Sequence, residues 1–178
     1  MSASALPQLP GVIVDMKTLS HPWFTYDFSI WYCPDDDDVA SRISETLMEH
    51  GFRGYVEHQD QVAGTSVALK ATEVIEASQV AIIILSARSL HDPWCQRVLE
   101  WNLQHVIERE GTKMIPVYVD VKKHQVPLVL RHLNELDYRS AFFQQKLLDG
   151  LQRAKASSGK ARTAVPSKVS KAKSSVGL

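Results

Sequence analysis

Val80-Ala81-Ile82-Ile83-Ile84-Leu85 is the longest uninterrupted apolar run in the chain. Six residues fall far short of the ~20 that a membrane-spanning helix needs. They suit a β-strand, and a strand with no polar residue on either face has to be covered from both sides. The run therefore predicts a central strand of a parallel sheet, with helices packed on both faces.

The flanks carry the alternation that such a sheet requires. Upstream, residues 26–32 are aromatic and β-branched and predict a first strand. In residues 39–50, Val39, Ile43 and Leu47 stand four apart on one helical face, and Gly51 takes the C-cap position. Residues 53–57 predict a short second strand, followed by a polar loop through Gly64. Thr65 or Ser66 is placed to cap a helix reaching about Ala77, with Ala68, Ala71 and Ile75 turned inward.

Downstream of the central run, a loop at 86–93 leads to a helix from about Trp94 to Glu110, closed by Gly111. Residues 114–119 predict another strand, in which Pro116 marks a strand end or edge because proline cannot donate to the ladder. Residues 136–138 supply a last short strand. A last helix is expected over 140–151, with Phe143, Leu147, Leu148 and Leu151 apolar. Five parallel strands and about five helices in alternation make an α/β, flavodoxin-like, doubly wound domain.

The domain is expected over residues 23–152. Residues 1–22, with three prolines and no lasting periodicity, read as a leader. Residues 153–178 are dominated by Ser, Ala, Gly and Lys and read as a tail with too little apolar surface to fold alone. Lys and Arg number 20 and so do Asp and Glu, so the net charge is zero, against a whole-domain nucleic-acid footprint. The balance is uneven along the chain. The tail carries Arg153, Lys155, Lys160, Arg162, Lys168, Lys171 and Lys173 and no acid, which leaves residues 1–152 at a net −7. Such a tail suits either solvent or a weak contact with an anionic membrane. Two cysteines make no disulfide framework, and the N-terminus lacks a secretory pattern, so a cytoplasmic setting is expected.

Little enzyme chemistry is legible. The usual phosphate-loop, dinucleotide, zinc and serine-hydrolase signatures are missing, and seven histidines are scattered without metal-ligand spacing. Asp35 to Asp38 are of a type that holds Mg²⁺, but acids in the turn before a helix also serve its free N–H groups and its dipole, and capping is the expected role. Cys95 at a helix start has a position that lowers a thiol pKa; burial is the expected reading. No cofactor and no metal are expected.

Several local patterns, in this order, resemble the TIR (Toll/interleukin-1 receptor) family. Tyr26-Asp27-Phe28-Ser29-Ile30-Trp31-Tyr32 resembles the family's first box. Gln59-Asp60-Gln61-Val62-Ala63-Gly64-Thr65 resembles the second box, the BB loop, with Gln59 and Ala63 in place of the usual Arg and Pro. The stretch ending Asp92-Pro93-Trp94-Cys95 is similar to the Ser...Trp-Cys entry into the third helix, and Phe142-Phe143 stands where the third box often has Phe-Trp.

The resemblance implies a TIR fold and association with TIR domains of receptors or adaptors, including copies of itself, through the BB loop residues 59–65 and the third-helix entry 92–95. It implies a signalling adaptor or regulator of innate immune receptor pathways, possible recruitment to the inner face of a plasma or endosomal membrane, and no part for nucleic acid. The family also contains NAD-cleaving enzymes. Their glutamate lies four residues after the helix-opening tryptophan, where this chain has Val98; Glu100, two positions on, projects about 200° away on a helix. The adaptor reading follows, with a rearranged NAD⁺ glycohydrolase or a microbial TIR mimic as the alternatives.

Overall fold

The computed structural model describes residues 24–160. Among these, β1 (Tyr26–Trp31), β2 (Gly54–Val56), β3 (Ser78–Leu85), β4 (Lys113–Tyr118) and β5 (Leu136–Asp137) pair in parallel in the order β2-β1-β3-β4-β5. The helices are α1 (Asp37–Glu49), α2 (Val67–Ala77), α3 (Pro93–Glu108) and α4 (Phe143–Lys160).

The apolar run at 80–85 is the inner part of β3, the middle strand, and every residue of β3 is buried. Its alternation divides the core. Val80, Ile82 and Ile84 pack with Ile43 and Leu47 of α1 and Leu147 and Leu151 of α4. Ala81, Ile83 and Leu85 face Ala71, Val74 and Ile75 of α2 and Val98 and Leu99 of α3. Helices thus cover both faces, as a run without polar residues demands.

Among the described residues four α-helices stand where about five are expected. The β4–β5 crossover holds only short 3₁₀ turns at 123–125 and 128–130, and Pro127 between them lacks the N–H that a continuous helix would use. Pro116 lies inside β4 rather than at an edge of the sheet. Val119 donates its N–H to Leu85 of β3, so alternate residues, Pro116 among them, face the β5 side. There β5 begins pairing only at Val117, so the missing donor falls on an unpaired stretch.

On α2 the buried positions are Ala71, Val74 and Ile75, whereas Ala68 is exposed. The first turn of this helix belongs with the exposed loop before it, so the inward stripe starts one turn later. Ser66, not Thr65, is the N-cap and accepts the Leu69 N–H.

The largest difference lies at the C-terminal side. α4 continues to Lys160, past the expected boundary at 152. Ala154 is buried, and Gln79 at the start of β3 donates to the Ala154 carbonyl at 2.6 Å and to Ser158 Oγ at 2.5 Å. Lys155, read with the tail as meeting solvent or making a weak anionic-membrane contact, lies 3.9 Å from Asp27 and over the Phe52 ring. The helix survives in an Ala- and Ser-rich stretch because its small residues fit against the sheet. Residues 1–23 and 161–178, with Arg162, Lys168, Lys171 and Lys173, lie outside the described part.

Candidate functional site

A side-chain relay anchors the BB loop at its root. Asp60 accepts the Val56 N–H at 2.7 Å on its carboxylate, while its own N–H donates to the Val56 carbonyl at 2.9 Å, closing a tight turn after β2. Gln59 donates to Asp37 Oδ1 at 3.0 Å and to Ser41 Oγ at 2.7 Å, tying the loop to α1. Asp37 also accepts the Tyr32 hydroxyl at 2.5 Å. The Tyr32 bond and then the Gln59 bond hold the Asp37 carboxyl below its ordinary pKa, whereas burial chiefly drives the Tyr32 hydroxyl upward.

Beyond that root the loop stands in solvent. Gln59 to Ser66 are exposed, and Val62 is 66% exposed. Gly64 has φ +84°, a left-handed conformation that glycine adopts without strain. Thr65 bonds back to the Val62 carbonyl at 2.7 Å. Val67 and Leu69 continue the exposed apolar surface onto α2.

The third-helix entry is built by capping. Asp92 accepts the Cys95 N–H at 2.8 Å and Pro93 follows in the first turn. That backbone N–H is the first cause of the lowered Asp92 pKa. Burial pushes the Cys95 thiol well above its usual range, so it is not an activated nucleophile. Cys33 and Cys95 are both free thiols.

What joins the two regions is Glu57, which the sequence reading left as an ordinary end-of-strand residue. It is 2% exposed. Oε1 accepts the Trp94 indole N–H at 2.5 Å, and Oε2 accepts the Tyr32 backbone N–H at 3.3 Å. His58 donates to the Tyr32 carbonyl at 2.9 Å and lies 3.8 Å from the same carboxylate. Burial raises the Glu57 pKa, against the lowering effect of the Trp94 bond and of His58. The Trp94 indole is half-buried and finds its acceptor 37 positions away rather than in the nearby Asp92, so no local pattern marked Glu57.

Glu57, Trp31 and Tyr32 line a cavity of about 210 Å³ that runs behind Cys95 and Val98 toward Val129. Val98 is buried in its wall. Glu100 does not point wholly away, as helical geometry alone predicts; it is exposed and stands at the rim, because the cavity wraps around α3 to Pro127 and Val129.

Of the four acids after β1, Asp37 and Asp38 stand in the first turn of α1, where negative charge suits the helix dipole, but no side-chain bond caps the helix. Asp36 is the N-cap of α1 by position but makes no capping bond; it accepts the Ser86 hydroxyl at 2.6 Å, and Asp35 pairs with Arg88. They tie the loop after β1 to the loop after β3. No group of acids, histidines and cysteines suited to a metal ion occurs among the described residues.

The sequence matches the family model described as TIR domain over residues 28–153. This chain belongs to the TIR domain family. Among curated proteins it is similar to mouse TIR domain-containing adapter molecule 2, with 23% identity over 126 residues, covering 67% of this chain and 54% of the mouse protein. The chain thus spans about half the length of that relative. Among solved structures, the TIR domain of the Toll-related receptor TRR-2 from Hydra magnipapillata matches at TM-score 0.61 and 25% identity, over 72% of this chain and 99% of that one. The metazoan TIR-STING receptor from C. gigas (TM-score 0.61, 24% identity, 75% and 41% covered) shares the fold. So do the TIR domains of the Roq1 resistosome (TM-score 0.53, 20% identity, 79% and 86% covered). In TIR terms, the structure brings the root of the BB loop against the third-helix tryptophan and leaves the tip of that loop outside the fold.

Proposed function

We propose that this TIR domain is a signalling adaptor or regulator that works by homotypic TIR–TIR association in the cytoplasm, within innate immune receptor pathways. The observation that carries the proposal is the exposed BB loop tip, Gln61 to Thr65, on a root fixed by Asp60, Gln59 and Glu57. A fixed root limits the ordering entropy lost on docking, and an exposed valine at its tip supplies apolar area. The third-helix entry, Asp92 to Cys95, offers a second face through the same Glu57–Trp94 bond. Two different faces meeting head to tail generate open-ended assemblies. The similarity to an adapter molecule supports the reading.

Catalysis has weaker support. Val98 occupies the helix position where a carboxylate would be expected to face the cleft, and both oxygens of Glu57 already accept hydrogen bonds. One observation favours the second reading, an NAD⁺ glycohydrolase with a rearranged site: Glu57 is a buried carboxylate lining the cavity, a possible stabiliser of a cationic transition state. The two separate experimentally. Purified full chain with NAD⁺ is followed for nicotinamide and for assembly. The adaptor reading predicts assembly that Val62→Asp abolishes, with no nicotinamide. Nicotinamide release that Glu57→Gln removes would establish the second reading.

A further inference from the structure

α1 and α4 lie side by side on one face of the sheet, both running from the strand ends toward the strand starts: Tyr138 contacts Phe143, and Lys155 reaches Asp27. Between them opens a groove of about 970 Å³ with Ile43 and Leu147 in its floor. Asp38, Glu45 and Glu49 of α1 border it, all exposed, and spacings of seven and four place them along one side of the helix. None of the three has an ion-pair or hydrogen-bond partner among the described residues. Of the two cations bordering the groove, Arg139 pairs with Asp120 at 2.7 Å and Arg42 reaches the uncharged Tyr138 hydroxyl at 3.5 Å, against the carboxylates of Asp36, Asp38, Glu45, Glu49 and Asp120. The groove therefore presents unbalanced negative charge over an apolar floor.

We propose that this groove is the docking site for the chain's own C-terminal segment, residues 161–178. That segment has Arg162, Lys168, Lys171 and Lys173, no acid, and apolar residues such as Val165 and Val169 between them. It follows directly from α4, which is one wall of the groove. The helix is about 27 Å long, and 18 extended residues reach roughly 60 Å, so the segment can return along the whole groove. The charges also match in span. Glu49 to Asp38 is about 16 Å along α1, and Lys168 to Lys173 in an extended segment is likewise about 16 Å. Single exposed pairs are weak, but a tethered segment binds at an effective concentration of roughly millimolar, so several together hold it in place. Docked, it screens α1 from any basic partner surface and makes access to that face sensitive to salt and to charge-removing modification of the lysines. The contact stands independently of the adaptor proposal; only its effect on association depends on it.

Amide NMR shifts of the full chain test the contact. Wild type is compared with a chain carrying Arg162→Gln, Lys168→Gln, Lys171→Gln and Lys173→Gln, and with a chain carrying Asp38→Asn, Glu45→Gln and Glu49→Gln. At about 0.1 M salt the shifts of residues 37–49 are expected to differ between wild type and the tail-neutral chain, and to converge near 1 M, where the screening length falls from ~10 to ~3 Å. In the second variant trypsin is expected to cleave at 162–173 several-fold faster than in wild type. Unchanged α1 shifts overturn the proposal. So do unchanged shifts accompanied by loss of sedimentation with phosphatidylcholine–phosphatidylserine vesicles, which would assign the segment to lipid. Light scattering on the same samples reports assembly separately, so a failed adaptor proposal and a failed docking proposal remain distinguishable.

Discussion

Glu57 sits between β1 and α3 with its carboxylate out of water, and its pKa is raised above the ordinary 4.5, chiefly by burial. Between pH 4.5 and that raised value the folded chain holds a proton that the unfolded chain releases. The stability Glu57 contributes is fully present below pH 4.5 and is lost as pH rises through its raised folded value. In Glu57→Gln that pH dependence disappears. Urea unfolding of both proteins across pH should show wild type losing ground to the variant as pH rises above 4.5; the opposite trend would mean that the hydrogen bonds from Trp94 and Tyr32 outweigh desolvation. At this scale the sequence was only partly readable. Trp94 and Cys95 stood out from their neighbours, whereas a glutamate just after a three-residue strand resembles any solvent-facing acid until the tertiary fold brings an indole against it.

At the scale of elements, β3 was legible because burial on both faces needs no partner information to be inferred. The limits of α4 were not, because Ala154 and Ser158 gain meaning only against Gln79, 75 and 79 positions away. A chain ending at 152 leaves the buried Gln79 amide without either acceptor, and its stability should fall by about 1–3 kcal/mol in denaturant unfolding. A truncation as stable as the whole chain would put the boundary back where composition suggested it. β2 offers a second test. Gly54 lies opposite Phe28 in the β1–β2 register, and a Cβ there would meet the Phe28 ring at 2.0 Å. The ring is fully buried. Gly54→Ala should therefore cost about 1–3 kcal/mol in thermal or urea unfolding, the usual range for overpacking. Because β2 leads directly into Glu57, the same change should alter Trp fluorescence through Trp94.

At the scale of the molecule, the doubly wound order puts β2 at one edge, and its loop emerges there with an exposed apolar tip beside α2. Alternation of strand and helix signals made that architecture readable. The function of the surface was not readable from pattern alone, since Val62 at 66% exposure has the same local chemistry whether it meets a partner or water. Val62→Asp tests it without touching the core, and folding by circular dichroism should be unchanged. The most direct measurement is light scattering of the chain and of Val62→Asp over rising concentration, with NAD⁺ present and nicotinamide read in the same samples. Concentration-dependent assembly of wild type, its loss in Val62→Asp and intact NAD⁺ are the expected result. A chain that stays monomeric at high micromolar concentration, or one that releases nicotinamide, would contradict association as its mode of action.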